Sequence, residues 1–269
     1  MFFSRRRFLS LPPLALLAHG ADAYGQAAAG GSTATDAVRP SFPAHDPELA
    51  REMVTVAHGN VTRVRELLGG RPALANAAWD WGFGDWESAL GAAAHVGNRE
   101  IAGLLIDAGA RPTIFSAAML GQLDAVRALI AAAPGVQRIR GPHGISLLAH
   151  ARAGGPGAAP VAQYLESIGD ADPRYRNETL TDGDRSAIAG TYAFGTDASA
   201  RFTVAVGDRG PTIQRQGSAA RNLFHLGGRV FHPSGADAVR IRFAVGERAA
   251  ALVVEDGPLT VTAARMPGV

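Results

Sequence analysis

At Pro173 the hydrophobic period of the chain changes, and one regular architecture cannot accommodate both sides. Upstream, apolar residues recur at helical spacing: Ile101, Leu104, Leu105 and Ala108 in one stretch, Val126, Leu129, Ile130 and Ala133 in another. Downstream come short alternating runs: "GTYAFG", "ARFTVAV", "PTIQRQ", "NLFHLG", "RVFHP", "VRIRFAV", "AALVVED" and "LTVTAAR". Turn residues separate them at roughly ten-residue intervals, the signature of an antiparallel barrel or sandwich. In "AVRIRFAV", Val239, Ile241 and Phe243 share one face while Arg240 and Arg242 take the other, so one face is buried and one wet. "LTDGDRSAIAG" reads as a short helical turn capped by Thr181 or Asp182. The expected class is α+β multidomain, with helices over 48–173 and a small antiparallel β domain over 180–269.

Four helical segments align on a shared pattern: "TVAHGNVTRVRELL", "AAAHVGNREIAGLLIDAGA", "SAAMLGQLDAVRALIAA" and "AHARAGGPGAAPVAQYLESIGDA". In each, small residues close one helix, a glycine turns the chain, and an amphipathic helix follows. Gly59, Gly97, Gly121 and Gly154 suit tight turns, where a left-handed conformation is cheapest for glycine. Glu87-Ser88-Ala89-Leu90-Gly91-Ala92-Ala93, "GLLIDAGARP" and the stretch from Gly144 to Ala151 complete the pattern, which resembles the ankyrin repeat. The resemblance implies an α-solenoid of about four repeats that binds partners through its finger tips and inner helices.

Turn glycines lie 38, 24 and 33 residues apart, against an ankyrin unit of ~33. The short interval leaves "ARPTIF" to enter the next helix directly; the long one implies an enlarged finger, "AWDWGFGDW". That finger carries Trp79, Trp81 and Trp86, every tryptophan in the chain, with Phe83 and Asp85. Aromatics flanked by acids are hot-spot chemistry. The same indoles could instead pack over the inner helices or dock the β domain. At the tip, Trp81 and Phe83 are expected to be more exposed than Trp86. "RIRGPHGIS" supplies Arg140 and His143 as a secondary contact.

The chain opens "MFFSRRRFLSLPPLALLAHGADAYG", where Ser4-Arg5-Arg6-Arg7-Phe8-Leu9 and then Ala21-Asp22-Ala23 resemble a bacterial twin-arginine export signal and its cleavage site. The resemblance implies a signal peptide over 1–23, a flexible linker over 24–47, and a periplasmic or secreted protein. Every one of the 26 basic residues is arginine; outside the leader 23 of them face 23 acidic residues, so no basic footprint argues for nucleic acid. No cysteine is present, which excludes disulfides and thiolate chemistry. No stretch has the ~20 apolar residues of a membrane span.

"IAGTYAFG", "LFHLGGRVFHPSG" and "VRIRFAV" resemble the accessory β domain of some β-lactamase-like serine hydrolases, in which catalysis lies elsewhere. No His-x-His, His-Glu-x-x-His, Gly-x-Ser-x-Gly or Ser-x-x-Lys pattern occurs, so no metal site, cofactor or catalytic residue is expected. His58 and His95 occupy matching places just before turn glycines and read as caps of helix carbonyls; His225 and His232 flank a turn without a nearby third ligand. The expected function is non-catalytic binding of a protein partner in the cell envelope through the 78–86 finger. The alternatives are a carbohydrate- or peptidoglycan-binding protein that stacks Trp79 and Trp81 on sugar rings, and an enzyme with a cleft between the two domains, which would need a buried polar cluster.

Overall fold

The structure, a computed structural model, describes residues 43–195, 197 and 200–267. The expected leader and most of the linker lie outside these residues. Pro43–Val269 forms one compact unit in which helices precede a β-barrel.

Among the described residues the first eight α-helices are α1 (Pro47–Val56), α2 (Val61–Gly70), α3 (Ala89–His95), α4 (Arg99–Asp107), α5 (Ile114–Met119), α6 (Leu123–Ala132), α7 (Leu147–Ala153) and α8 (Ala159–Ile168). Polar side chains start most of them: Asp46, Asn60, Ser88, Asn98, Thr113 and Ser146 each accept a hydrogen bond from a first-turn N–H. α1, α3, α5 and α7 pack side by side in one layer. Small residues make that possible: in α3 every residue from Ala89 to Ala94 is buried, with Leu90 the one large side chain. α2, α4, α6 and α8 lie behind them, each burying an apolar stripe such as Ile101, Ala102 and Leu105.

The ankyrin assignment does not survive the structure. Only one finger is formed, the hairpin of β1 (Ala78–Asp80) and β2 (Trp86–Ser88). Residues 108–113 carry no strand, and 134–146 make two short 3₁₀ turns instead. Of the four turn glycines, Gly97 (φ 75°) and Gly121 (φ 78°) are left-handed, whereas Gly154 is ordinary right-handed helix (φ −68°) and Gly59 is not left-handed either. The region is a two-layer helical stack, not a solenoid of equivalent fingers.

After α9 (Asp182–Ile188, capped by Thr181) come β3 (Gly190–Ala193), β4 (Arg201–Gly207), β5 (Gly210–Arg215), β6 (Arg221–Gly227), β7 (Val230–Pro233), β8 (Arg240–Phe243), β9 (Ala251–Asp256) and β10 (Leu259–Arg265). Each strand pairs antiparallel with its sequence neighbour, and β10 returns to β3 through Arg265 opposite Tyr192, closing a barrel. The eight alternating runs of the sequence are these eight strands. Inward residues fill the interior: Tyr192, Val204, Ile213, Phe231, Ile241, Phe243 and Leu252 are buried, while Arg242 faces out. The closure makes this a barrel and excludes a sandwich.

Arg265 closes the base of the barrel. Its guanidinium donates to the carbonyls of Ala249 (2.6 Å), Ala189 (2.7 Å) and Ala187 and to the Tyr192 hydroxyl (2.7 Å). Those carbonyls belong to the end of α9 and the β8–β9 and α9–β3 connections, so one side chain ties three chain segments together. Arg265→Met should lower the unfolding free energy by at least about 2 kcal/mol, because it strands partly buried carbonyls. Urea denaturation checks this; an unchanged midpoint would show that the strand pairing alone closes the barrel.

Candidate metal centre

The finger turns on an unusual backbone. Gly82, Phe83 and Gly84 all have positive φ (107°, 59° and 74°), and the loop is held by the Asp85 N–H to the Gly82 carbonyl and the Trp81 N–H to the Asp85 carbonyl. The chain then alternates as a strand, so Asp85 and Glu87 point inward (3% and 0% exposed) and Trp86 points out (64%). Trp79 and Trp81 are half-buried against the helical core, and Phe83 packs against the barrel core. The expected order of exposure is therefore reversed: Trp86 is the exposed indole, and the tip is docked.

Glu87 is the centre of the arrangement. Trp81 donates its indole N–H to Oε2 at 2.7 Å. Around the same carboxylate stand His143 Nε2 (3.4 Å), His58 Nε2 (3.5 Å) and His95 Nδ1 (3.0 Å). One ligand atom from each of His58, Glu87, His95 and His143 falls within a 4.8 Å span. These residues come from four separate places: the turn after α1, strand β2, the last position of α3, and the 3₁₀ turn 142–144.

Two of the imidazoles are oriented from behind. His58 Nδ1 faces the carbonyls of Val54 (3.0 Å) and Thr55 (3.1 Å), which fixes the proton there and leaves Nε2 free to accept. His143, itself at positive φ (59°), bonds Asp85 twice, through its backbone N–H (2.9 Å) and through Nδ1 (2.8 Å). Arg221, at the start of β6, completes this carboxylate's shell at 3.0 Å. Gly235 leaves room for it: a Cβ there would stand 2.8 Å from the Asp85 carboxylate, and its φ is +75°.

The acids and the histidines compensate one another here. Burial pushes Glu87 up, but His143, His95 and the charge of His58 outweigh it and lower its pKa to about 2. Asp85 is likewise raised by burial and, on balance, lowered by His143 and Arg221. Burial lowers His143, yet Asp85 and Glu87 together raise it to about 9. Glu87 Oε1 and His95 Nδ1 are both buried and stand 3.0 Å apart as an ion pair, outside the geometry of a hydrogen bond. Ligands bound at ~2.1 Å in a tetrahedron stand about 3.4 Å apart; the four candidate atoms here lie within 4.8 Å of one another, so a zinc-type ion would draw them together.

Cavities open onto the cluster. One of about 390 Å³ is bordered by His58, His143 and Trp81 on one side and Arg221, Asn222 and Ser234 of the barrel on the other. The centre thus has a solvent-reached edge between helices and barrel.

No protein-family model matches the chain, and no curated protein matches it. The ankyrin and hydrolase-accessory resemblances, like that to a twin-arginine signal, therefore have no family support.

The structure brings together Trp81, Asp85 and His143 of the residues expected to bind a partner. Arg140 lies apart, stacked over Tyr175 (3.7 Å), bonded to the Pro173 carbonyl (2.7 Å) and paired with Asp237 (3.0 Å), where it fastens the chain leading into the barrel. The sequence reading does not single out Glu87 or the convergence of His58 and His95 on it. The His225–His232 pair makes only backbone contacts through Nδ1, to Glu178 and Pro233.

Two expectations follow. Gly235→Ala should destabilise the protein by about 1 kcal/mol or more through positive φ and the clash with Asp85, read as a lower Tm. His150 is fully buried beneath the centre, and burial lowers its pKa to about 4 from the ordinary 6.5. A base held neutral in the fold but protonated when unfolded makes stability fall as pH drops from 6.5 to 4, by about 3 kcal/mol. In chelator-treated protein, His150→Gln should flatten that limb; an unchanged slope would assign it to other groups.

Proposed function

We propose that the protein binds one divalent transition-metal ion, zinc by its ligand set, through His58, Glu87, His95 and His143, and presents it to a small molecule in the cleft beside the barrel. The observation that carries this is the convergence of one buried carboxylate and three imidazoles from separate elements, with a ligand atom of each within 4.8 Å of the others. Imidazole and carboxylate suit zinc, and a four-ligand zinc site can take a fifth oxygen from a neighbouring cavity. A bound ion would supply Lewis acidity at the cleft, while the Asp85–His143 and Val54–His58 contacts set the orientation of the two imidazoles. This is the enzyme-with-a-cleft alternative given a chemical centre. The protein-partner reading retains one observation, the exposed face of Trp86.

Equilibrium dialysis with elemental analysis tests the proposal. The protein should hold one zinc per chain, and Glu87→Gln should lose it. Asp85→Asn, which touches no metal, should weaken affinity by about 10–100-fold, the usual effect of removing a ligand's orienting carboxylate. Saturating zinc at 100 times Kd should stabilise the fold by about 2.7 kcal/mol. A wild type that binds no more metal than Glu87→Gln would refute the assignment.

A further inference from the structure

A second cavity, of about 470 Å³, lies between the finger and the barrel. Trp81, Ala219 and Arg221 border both cavities, so the second continues the first away from the histidines. Its walls are of two kinds. Trp79, Trp81 and Phe83 supply flat apolar surface from the finger, and Phe202 and Ile213 supply it from β4 and β5. Three guanidinium groups, Arg51, Arg215 and Arg221, also line it, against a single carboxylate, Asp80.

The three arginines are engaged to different degrees: Arg215 has an interaction partner, and Arg221 also donates to the Ser234 carbonyl at 2.8 Å. Asp80 is turned into the loop, accepting the Gly82 N–H at 2.8 Å. Asp85 is bonded to Arg221 but shared with His143. Glu48 reaches Arg51 only at 3.4 Å on the exposed side of α1. Arg51 and Arg215 also lie over aromatic rings, Trp79 of the cavity wall at 5.9 Å and Phe194 outside it at 5.4 Å. A slot of this size with aromatic walls and mainly cationic charged groups has the form of a small-molecule site.

We infer that this cavity binds a small organic anion with a flat apolar body, a carboxylate of about bicyclic size, between the finger aromatics and Phe202/Ile213. The inference rests on the metal reading only in naming that anion as the class of molecule the centre acts on. The apolar body replaces water against Trp79 and Trp81; the arginines select the charge and give guanidinium donors to a carboxylate.

Tryptophan fluorescence on chelator-treated full-length protein tests it, with 2-naphthoate, neutral 2-naphthamide and cationic 2-naphthylmethylammonium as probes. Naphthoate should bind at least about tenfold tighter than the amide, and the ammonium ion weakest. Arg51→Glu, on the exposed face of α1, should erase most of the naphthoate preference while leaving the amide unchanged. Ala219→Trp, in an exposed loop at the junction of the cavities, should block all three probes. Equal binding of the three probes, or unchanged affinities in both variants, would overturn the inference. Zinc-loaded protein should bind naphthoate tighter than metal-free protein; equal affinities would sever the cavity from the centre. Failure of naphthoate to bind at all would leave one-zinc stoichiometry untouched, so the two readings fail separately.

Discussion

A carboxylate with no exposed surface, Glu87, is the constraint on which the rest depends. An ionised group in that position is tolerable only if its charge is met at short range. Three histidines and one indole N–H meet it, and each arrives from a different part of the chain. The hairpin delivers Glu87, the ends of α1 and α3 deliver His58 and His95, and the strained 142–144 turn delivers His143. The side-by-side packing of α1, α3, α5 and α7 sets the distances between them.

The finger links the two halves of the molecule. Its inward acids hold the histidines, its indoles cover the helical core, and Phe83 at the tip reaches the barrel core. Arg221 works from the barrel side on Asp85, so a barrel residue helps to orient His143, which the helical part carries. The aromatic concentration in one short segment is thus explained by three simultaneous contacts, with only Trp86 left facing solvent.

Much of the architecture was legible in the sequence. Eight alternating runs became eight strands, because a closed barrel imposes a strict inside–outside period on each. The enlarged interval between turn glycines located the hairpin, and Thr181 capped its helix as expected. Repeat-like helix pairs suggested a family whose defining fingers are mostly missing, since equivalent helix spacing does not require equivalent loops. The centre was hidden for a different reason. Metal motifs are legible when two ligands share one helix or turn, and here all four stand on separate elements. Two signals were present: His58 and His95 at matching helix ends, and the alternation Asp85-Trp86-Glu87, which puts both acids on one face. Neither gains meaning until packing places the helix ends side by side above the strand.

Anomalous diffraction at the zinc edge from crystals grown with the metal tests the central claim most directly. The account predicts one strong peak within about 2.3 Å of Glu87, His58, His95 and His143. A peak elsewhere, or none at those four residues, would contradict it.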